Sequence, residues 1–412
     1  MTDVSTVPSD WELRAVESLG SIRGGKRLPK GRSLTELPTP HPYIRVTDMR
    51  PGWVDTSNVR YVPDEVAPLI RAYRIFRGDI FISVAGTLGI VGRIPNELSG
   101  ANLTENADRI TSIDCDADYL MYSLLSGPIQ REIEAIRTVG AQPKLALGRI
   151  KRFRVLIPKS RTEQSRVAGV LRDVDQHIAV LERLICKKQA IKEGMAQRLL
   201  TGKTRLPNFK GHWPEVALGT HATGLRGAGL SKALLNPSGR YPCVLYGELF
   251  TTYGRRIEDV RSRTNTDSGV RSQAGDVLIP GSTTTVARDL ATASALHSQG
   301  VLLGGDTNIV RSDKEIDPDW LAYYVTDRLG DRIAEIAQGT TIKHLYVRDL
   351  LKCRIVLPSL SEQRAIVAAL LDAEADVSTL RRRLGKAREM KQGMMQELLT
   401  GHIRLPVTEE TA

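Results

Sequence analysis

The apolar positions fall into two regimes. Over 163–207 and again over 362–406 they recur at helical spacing; elsewhere they come in short runs broken by Gly and Pro. In the first long segment Leu171, Val174, Ile178, Leu181 and Ile185 step by three and four, and Leu370, Ala373, Val377, Leu380 and Leu384 keep the same register in the second. A 3.5-residue period holds one seam toward one partner helix. The other faces are rich in Arg, Lys, Asp and Glu. About 40 residues make roughly 60 Å of helix. A solitary helix of that length cannot bury its seam, so the two are expected to pair as an antiparallel coiled coil. The alternative is two amphipathic helices, each packed on its own domain.

The two segments are copies. An offset of 199 superimposes them without a gap, and 18 of 45 positions are identical. The tail recurs most closely: Lys192, Gly194, Met195, Gln197, Leu199, Leu200, Thr201, Gly202, Arg205, Leu206 and Pro207. Such a period means a duplicated unit. Thr162 and Ser361 are expected to cap the helix starts. Glu163 and Glu362 follow in the first turn, where negative charge suits the helix dipole. Gly202 and Gly401 stand where a C′ glycine belongs.

The intervening segments read as a mixture of short strands and short helices. The first carries Tyr43-Ile44-Arg45-Val46, Ile80-Phe81-Ile82-Ser83-Val84 and Arg154-Val155-Leu156-Ile157-Pro158 as strands, with helices over 118–125 and 129–137. The second echoes it. Trp213 matches Trp11, Gly275-Asp276-Val277 matches Gly78-Asp79-Ile80, Asp319-Trp320 matches Asp118-Tyr119, and Arg354-Ile355-Val356 matches Arg154-Val155-Leu156. The fold class is α+β with a pseudo-twofold internal repeat. The expected domains are 1–157, a long helix over 158–207, 208–357, and a second helix and tail over 358–412. After the shared Gly-Asp strand the loops diverge: Ala85-Gly86-Thr87-Leu88-Gly89 in one half, Gly281-Ser282-Thr283-Thr284-Thr285 in the other. One scaffold with unlike loops suggests two reading devices set to different targets; ordinary loop drift is the plainer alternative.

Composition narrows the class. At 412 residues the chain exceeds one ordinary core. Its net charge of +11 and pI near 9.5 favour a polyanionic partner. The four cysteines, Cys115, Cys186, Cys243 and Cys353, have no CxxC spacing, which fits free thiols in a reducing compartment. No leader pattern and no run of 18 apolar residues is present, so a cytoplasmic protein without a membrane span is expected.

Catalytic patterns fail on inspection. Gly202-Lys203-Thr204 lacks the earlier glycine of a phosphate loop, since position 197 is Gln, and it follows a helix rather than a strand. Gly224-Leu225-Arg226-Gly227-Ala228-Gly229 lacks the order of a dinucleotide fingerprint and reads as a flexible loop near phosphates. Neither a zinc helix of the His-Glu-x-x-His type nor a Gly-x-Ser-x-Gly elbow occurs. Asn236-Pro237 runs into Ser238-Gly239, not the Pro-aromatic pair of an adenine methyltransferase, and Glu389-Met390-Lys391 has no carboxylate partner of nuclease type. No metal ligand set is expected. Candidate DNA contacts are Arg45, Thr47, Arg50, Ser83, Thr87, Arg93 and Lys144 in the first half. In the second they are Arg255, Arg256, Ser282, Thr283, Thr284, Thr285, Arg288, Lys343 and His344. Arg and Lys neutralise phosphates or reach guanine, and Ser and Thr contact either.

Two α+β domains alternating with two long helices, each opening on Glu-Gln (163–164, 362–363) and closing on Leu-Leu-Thr-Gly-x-x-Arg-Leu-Pro, resemble the specificity subunits of type I restriction–modification enzymes. The resemblance spans nearly the whole chain. It implies a non-catalytic DNA-recognition subunit in which each variable domain reads half of an asymmetric bipartite site in double-stranded DNA. It also implies that the helices set the spacing and dock two modification subunits, which two restriction subunits can join. S-adenosylmethionine, ATP and Mg2+ would be used by those partners and none bound by this chain. The rival readings are a self-contained methyltransferase or nuclease and a protein-only coiled-coil adaptor.

Overall fold

The structure is a computed structural model that describes residues 8–137 and 143–406. The leader expectation falls partly on residues 1–7, which lie outside that range. By packing, the chain divides into two units, 1–182 with 382–412, and 183–381. Each unit combines one β-rich domain with half of each long helix.

In the first unit Trp11–Ala15 pairs antiparallel with Arg154–Pro158, tying the start of the domain to its last strand. One four-stranded sheet has the order Ser21–Gly24, Ala107–Thr111, Ile80–Ser83, Val91–Arg93. The other runs Arg60–Tyr61, Pro42–Ile44, Ala101–Leu103, Arg74–Ile75. The second unit repeats this order: Ala222–Arg226, Thr307–Ser312, Asp276–Pro280, Ser294–Leu296, with Arg256–Ile257 added at the edge. Its other four-stranded sheet is Ser262–Thr264, Tyr241–Val244, Leu302–Leu303, Val270–Arg271. Even the one parallel pair inside each of these second sheets recurs, Pro42–Ile44 with Ala101–Leu103 and Tyr241–Val244 with Leu302–Leu303. The Gly-Asp strands are buried throughout, as a central strand covered on both faces requires.

The glycine-rich run is a correction to the sequence reading. Gly224, Leu225 and Arg226 are not loop but belong to the strand Ala222–Arg226, bonded to Thr307–Ser312. Gly227 is needed for close backbone approach: a Cβ there would lie 2.0 Å from the Gly304 carbonyl oxygen. Gly25 meets the Thr104 carbonyl in the same way, at 1.9 Å.

The long helices are Arg161–Leu199 and Leu360–Leu398. They start one step before the expected caps. The Glu163 and Glu362 amides donate to Ser160 Oγ and Ser359 Oγ, both at 3.4 Å, while Thr162 and Ser361 lie inside the first turn. Gly202 and Gly401 end them at φ +69° and +74°, a region open to glycine at little cost. The helices pack against each other and run antiparallel. In the first unit Lys391 meets Asp175 at 2.6 Å and Arg388 meets Glu182 at 2.7 Å; in the second Lys192 meets Glu374 at 3.0 Å and Lys188 meets Asp376 at 2.7 Å. Of the seam residues, Leu171, Val174, Leu181, Ile185, Leu370 and Val377 are buried, and Ile178, Ala373, Leu380 and Leu384 are half-buried.

Each helix head is built into its domain by the Glu-Gln pair. Gln164 accepts the Asp116 amide at 2.7 Å and donates to the Pro158 carbonyl at 2.7 Å. Gln363 accepts the Asp317 amide at 2.7 Å and donates to the Pro358 carbonyl at 2.9 Å. Asp116 and Asp317 in turn cap the helices Ala117–Leu125 and Pro318–Arg328. The glutamates hold the other helix's tail. Arg205 forks onto Glu362 at 2.5 and 2.7 Å, and the Trp213 indole donates to the same carboxylate at 3.0 Å. Arg404 forks onto Glu163 at 2.6 and 2.9 Å and reaches Asp10 at 2.7 Å. Glu362 is 2% exposed and would be a costly buried charge without this fork.

Candidate nucleic-acid interface

The hydroxyl-rich loop of the second unit is held open by pairing on both sides. After Asp276–Pro280, Gly281 turns against the Asp306 carbonyl, and Ser282–Thr283 pairs antiparallel with Lys343–His344. The Leu345 amide donates to the Gly281 carbonyl at 2.9 Å. Within the loop the Thr285 amide donates to Thr283 Oγ1 at 3.2 Å, and the two hydroxyls lie 2.8 Å apart. Thr285 donates to Asp289, and Ser282 donates to Asp306 at 3.3 Å. Asp306 also receives Arg226. This loop forms one wall of a cleft of about 730 Å³; the helix Tyr246–Thr251 supplies Tyr246 and Phe250, and Ile342 and His344 complete it.

Of the second-half candidates, Ser282, Thr283, Thr284, Thr285, Lys343 and His344 are therefore brought together. Lys343 donates from its ammonium to the Gly339 carbonyl at 2.6 Å. Arg288 is engaged with Asp331. Arg255 and Arg256 sit elsewhere. Arg255 donates to Asp327 at 2.8 Å beside the Tyr323 ring, in a 340 Å³ cavity that Lys192 and Leu370 of the long helices also line. Arg256 lies 3.2 Å from Glu258 and 3.6 Å from Asp319.

The first unit carries the same frame with different chemistry. Ala85 bridges Lys144 as Ser282 bridges His344, and the Leu145 amide donates to the Val84 carbonyl at 2.9 Å. Thr87 is exposed on the loop and Leu88 turns into the core. Ser83 is fully buried; its hydroxyl accepts the Ile90 amide at 2.8 Å and closes the loop's base. Arg45 forks onto Asp48 at 2.9 and 2.6 Å, Arg50 reaches Asp55 at 3.0 Å, and Arg93 reaches Asp118 at 2.6 Å. Thr47 is exposed beside the first of these pairs. A groove of about 680 Å³ beside Lys144 is lined by Gly24, Gly25, Lys26, Arg27, Glu105 and Asp108. Burial pushes the Asp108 carboxyl up, against the pull of Lys144.

Sequence reasoning missed Lys26, Arg27, Tyr246, Phe250 and Ile342. Gly24-Gly25-Lys26-Arg27 carried a signal, basic residues directly after a glycine pair; Phe250 and Ile342 carried none, because an exposed apolar residue is recognised only from the fold. Among the described residues no group of three or more His, Cys, Asp or Glu is placed to hold a metal ion, and no helix is long and apolar enough to cross a membrane. All four thiols are free, and burial pushes Cys115 and Cys243 up to about 11.

Residues 8–188 match the family model described as the type I restriction modification DNA specificity domain. The chain is 24% identical over 440 residues to a putative type I restriction enzyme MjaX specificity subunit of Methanocaldococcus jannaschii, covering 98% of this chain and 96% of that one. The fold matches the type I restriction–modification S subunit of M. genitalium with a TM-score of 0.58 at 15% identity, over 99% of both chains. It matches the HsdS subunit of Thermoanaerobacter tengcongensis with a TM-score of 0.51 at 18% identity, over 98% of this chain and 100% of that one. The repeated scaffold, its unlike loops and the paired helices agree with these likenesses: residues 8–188 match the family's DNA specificity domain, and the chain as a whole is similar to type I restriction–modification specificity subunits.

Proposed function

We propose that the domains 1–157 and 208–357 each read one half of an asymmetric bipartite site in double-stranded DNA. The paired helices fix the gap and dock two modification subunits, which two restriction subunits can join. The observation that carries this reading is the one frame used twice with unlike contents. Behind the same strand pair stands Lys144 over a groove lined by charged side chains of both signs in one unit and His344 over a hydroxyl cleft in the other. A duplicated scaffold holding different side chains at the same place reads different base edges. The site residues offered are Thr87 and Lys144, with Lys26, in the first unit, and the exposed Thr284 and Thr285 with Lys343 and His344 in the second; Ser282 and Thr283 are buried at the base of the loop, and Arg27 is paired with Glu105 at 3.0 Å. The arginines at 45, 50, 93, 255, 256 and 288 are better placed to brace these surfaces than to leave their carboxylates. Methyl transfer with S-adenosylmethionine, and any ATP- and Mg2+-dependent cleavage, fall to the partner subunits.

The test is an exchange of the loop 281–288 for that of another specificity subunit, followed by mapping of methylated adenines in cells. One half of the methylated motif is expected to change while the other half and the gap stay. Change in both halves would end the modular reading.

A further inference from the structure

The cleft of the second unit holds an apolar feature that a purely polar reading surface would not need. Outside the long helices, the exposed large hydrophobic side chains described in this unit are Leu225, Leu234, Phe250, Val286 and Ile342. Two of the five line the cleft, Phe250 at 37% and Ile342 at 45% exposed, and Val286, 64% exposed, follows Thr285 in the chain. Single exposed apolar residues are ordinary, but a cluster beside a polar loop marks a contact surface. Thr284 adds a methyl from the exposed part of the loop. The two carboxylates inside are occupied, Asp289 by Thr285 and Asp306 by Ser282 and Arg226, and Lys343 pairs with Thr283 along the strand beside the cleft.

We infer that this cleft reads thymine, packing its C5 methyl against Phe250, Ile342 and the Thr284 methyl while the exposed hydroxyls of Thr284 and Thr285 meet the polar edge of the same A·T pair. In the major groove thymine alone carries a methyl, and threonine methyls and phenyl rings are its natural contacts. The hydroxyls serve as donor or acceptor and so match either the thymine O4 or the adenine amino group. The groove of the first unit offers Lys26 and Lys144 instead, which suit guanine acceptors, while its Arg27 is paired with Glu105.

This inference rests on the DNA-reading role proposed above, and the experiment separates the two. The motif is mapped first, and the half-site moved by the 281–288 exchange is assigned to the second unit. Binding of the chain with its modification subunits is then measured on duplexes in which each thymidine of that half-site is replaced by deoxyuridine. At least one replacement is expected to weaken binding about four-fold, the worth of one buried methyl group. That penalty is expected to shrink toward one-fold in Phe250→Ala and partly in Thr284→Ser, which keeps the hydroxyl. Because the readout is a ratio of two duplexes on one preparation, loss of folded protein does not imitate it. A half-site that moves with the loop yet holds no thymine, or one indifferent to deoxyuridine in wild type, overturns the inference and leaves the DNA-reading role standing. If Phe250→Ala instead weakens capture of the modification subunits and leaves the deoxyuridine penalty intact, the cleft is a protein contact and the inference falls. If the loop exchange moves neither half-site, the DNA-reading role itself fails and this inference with it.

Discussion

Asp108 in the first unit occupies the place of Asn308 in the second, each opposite the same residue of the Gly-Asp strand, Ile82 and Ile279. Burial raises the Asp108 carboxyl above its ordinary value of 3.8. The folded chain therefore binds that proton more tightly than the unfolded chain. Its stability falls as pH rises from 3.8 through the folded pKa and stays lowered above it. Asp108→Asn removes the titration. Its thermal midpoint is expected to gain on wild type as pH rises from 4 to 7, with the gain smallest at the acid end; a difference independent of pH would show that the carboxylate is fully compensated. At this scale the sequence was half legible. It marked Arg45, Arg50 and Arg93 as cations but not Asp48, Asp55 and Asp118 as their partners, and an arginine's freedom is decided by the partner. Ser83 reads as a surface hydroxyl in sequence, yet the loop that returns to Ile90 encloses it.

Among the elements, the long helices were the most legible because a 3.5-residue period over some 40 residues leaves few other readings. Their ends were less so. Ser160 and Thr162, or Ser359 and Ser361, offer two hydroxyls two residues apart, and only the fold decides which one the first amides meet. The run from Gly224 was misread because its partner strand, Thr307–Ser312, lies far along the chain. The C′ glycines support a direct test. A side chain at Gly202 would have to hold φ +69° and meet the Trp213 ring at 3.3 Å. Gly202→Ala is expected to cost about 1–2 kcal/mol in chemical denaturation. Gly194→Ala, within the same helix and facing nothing within 4 Å, is expected to contribute about 0.5–1 kcal/mol of stability. Equal effects at the two glycines would contradict the assigned helix end.

For the whole molecule, the duplication was legible from the offset of 199 and the unlike loops, while the content of each reading surface was not, since it is assembled from segments as distant as 24–27 and 144, or 246–250 and 342–344. The proposed role of the paired helices predicts a change of scale. Adding one heptad to both helices at matched positions lengthens each by about 10 Å, roughly three base pairs. Mapping of methylated adenines is expected to show both half-sites unchanged and the gap widened accordingly. An unchanged gap would remove the spacing role.

The grip of Arg404 on Glu163 and Asp10 also bears on the order in which the protein matures on the ribosome. The second unit is one uninterrupted stretch and can finish as soon as residue 381 has emerged. The first, although its larger part precedes the second, waits with its helix seam uncovered until residues 382–404 arrive. Residues 8–182 are thus translated before the second unit yet close after it, and a product released between residues 381 and 404 would carry a complete second unit and an open, aggregation-prone first one.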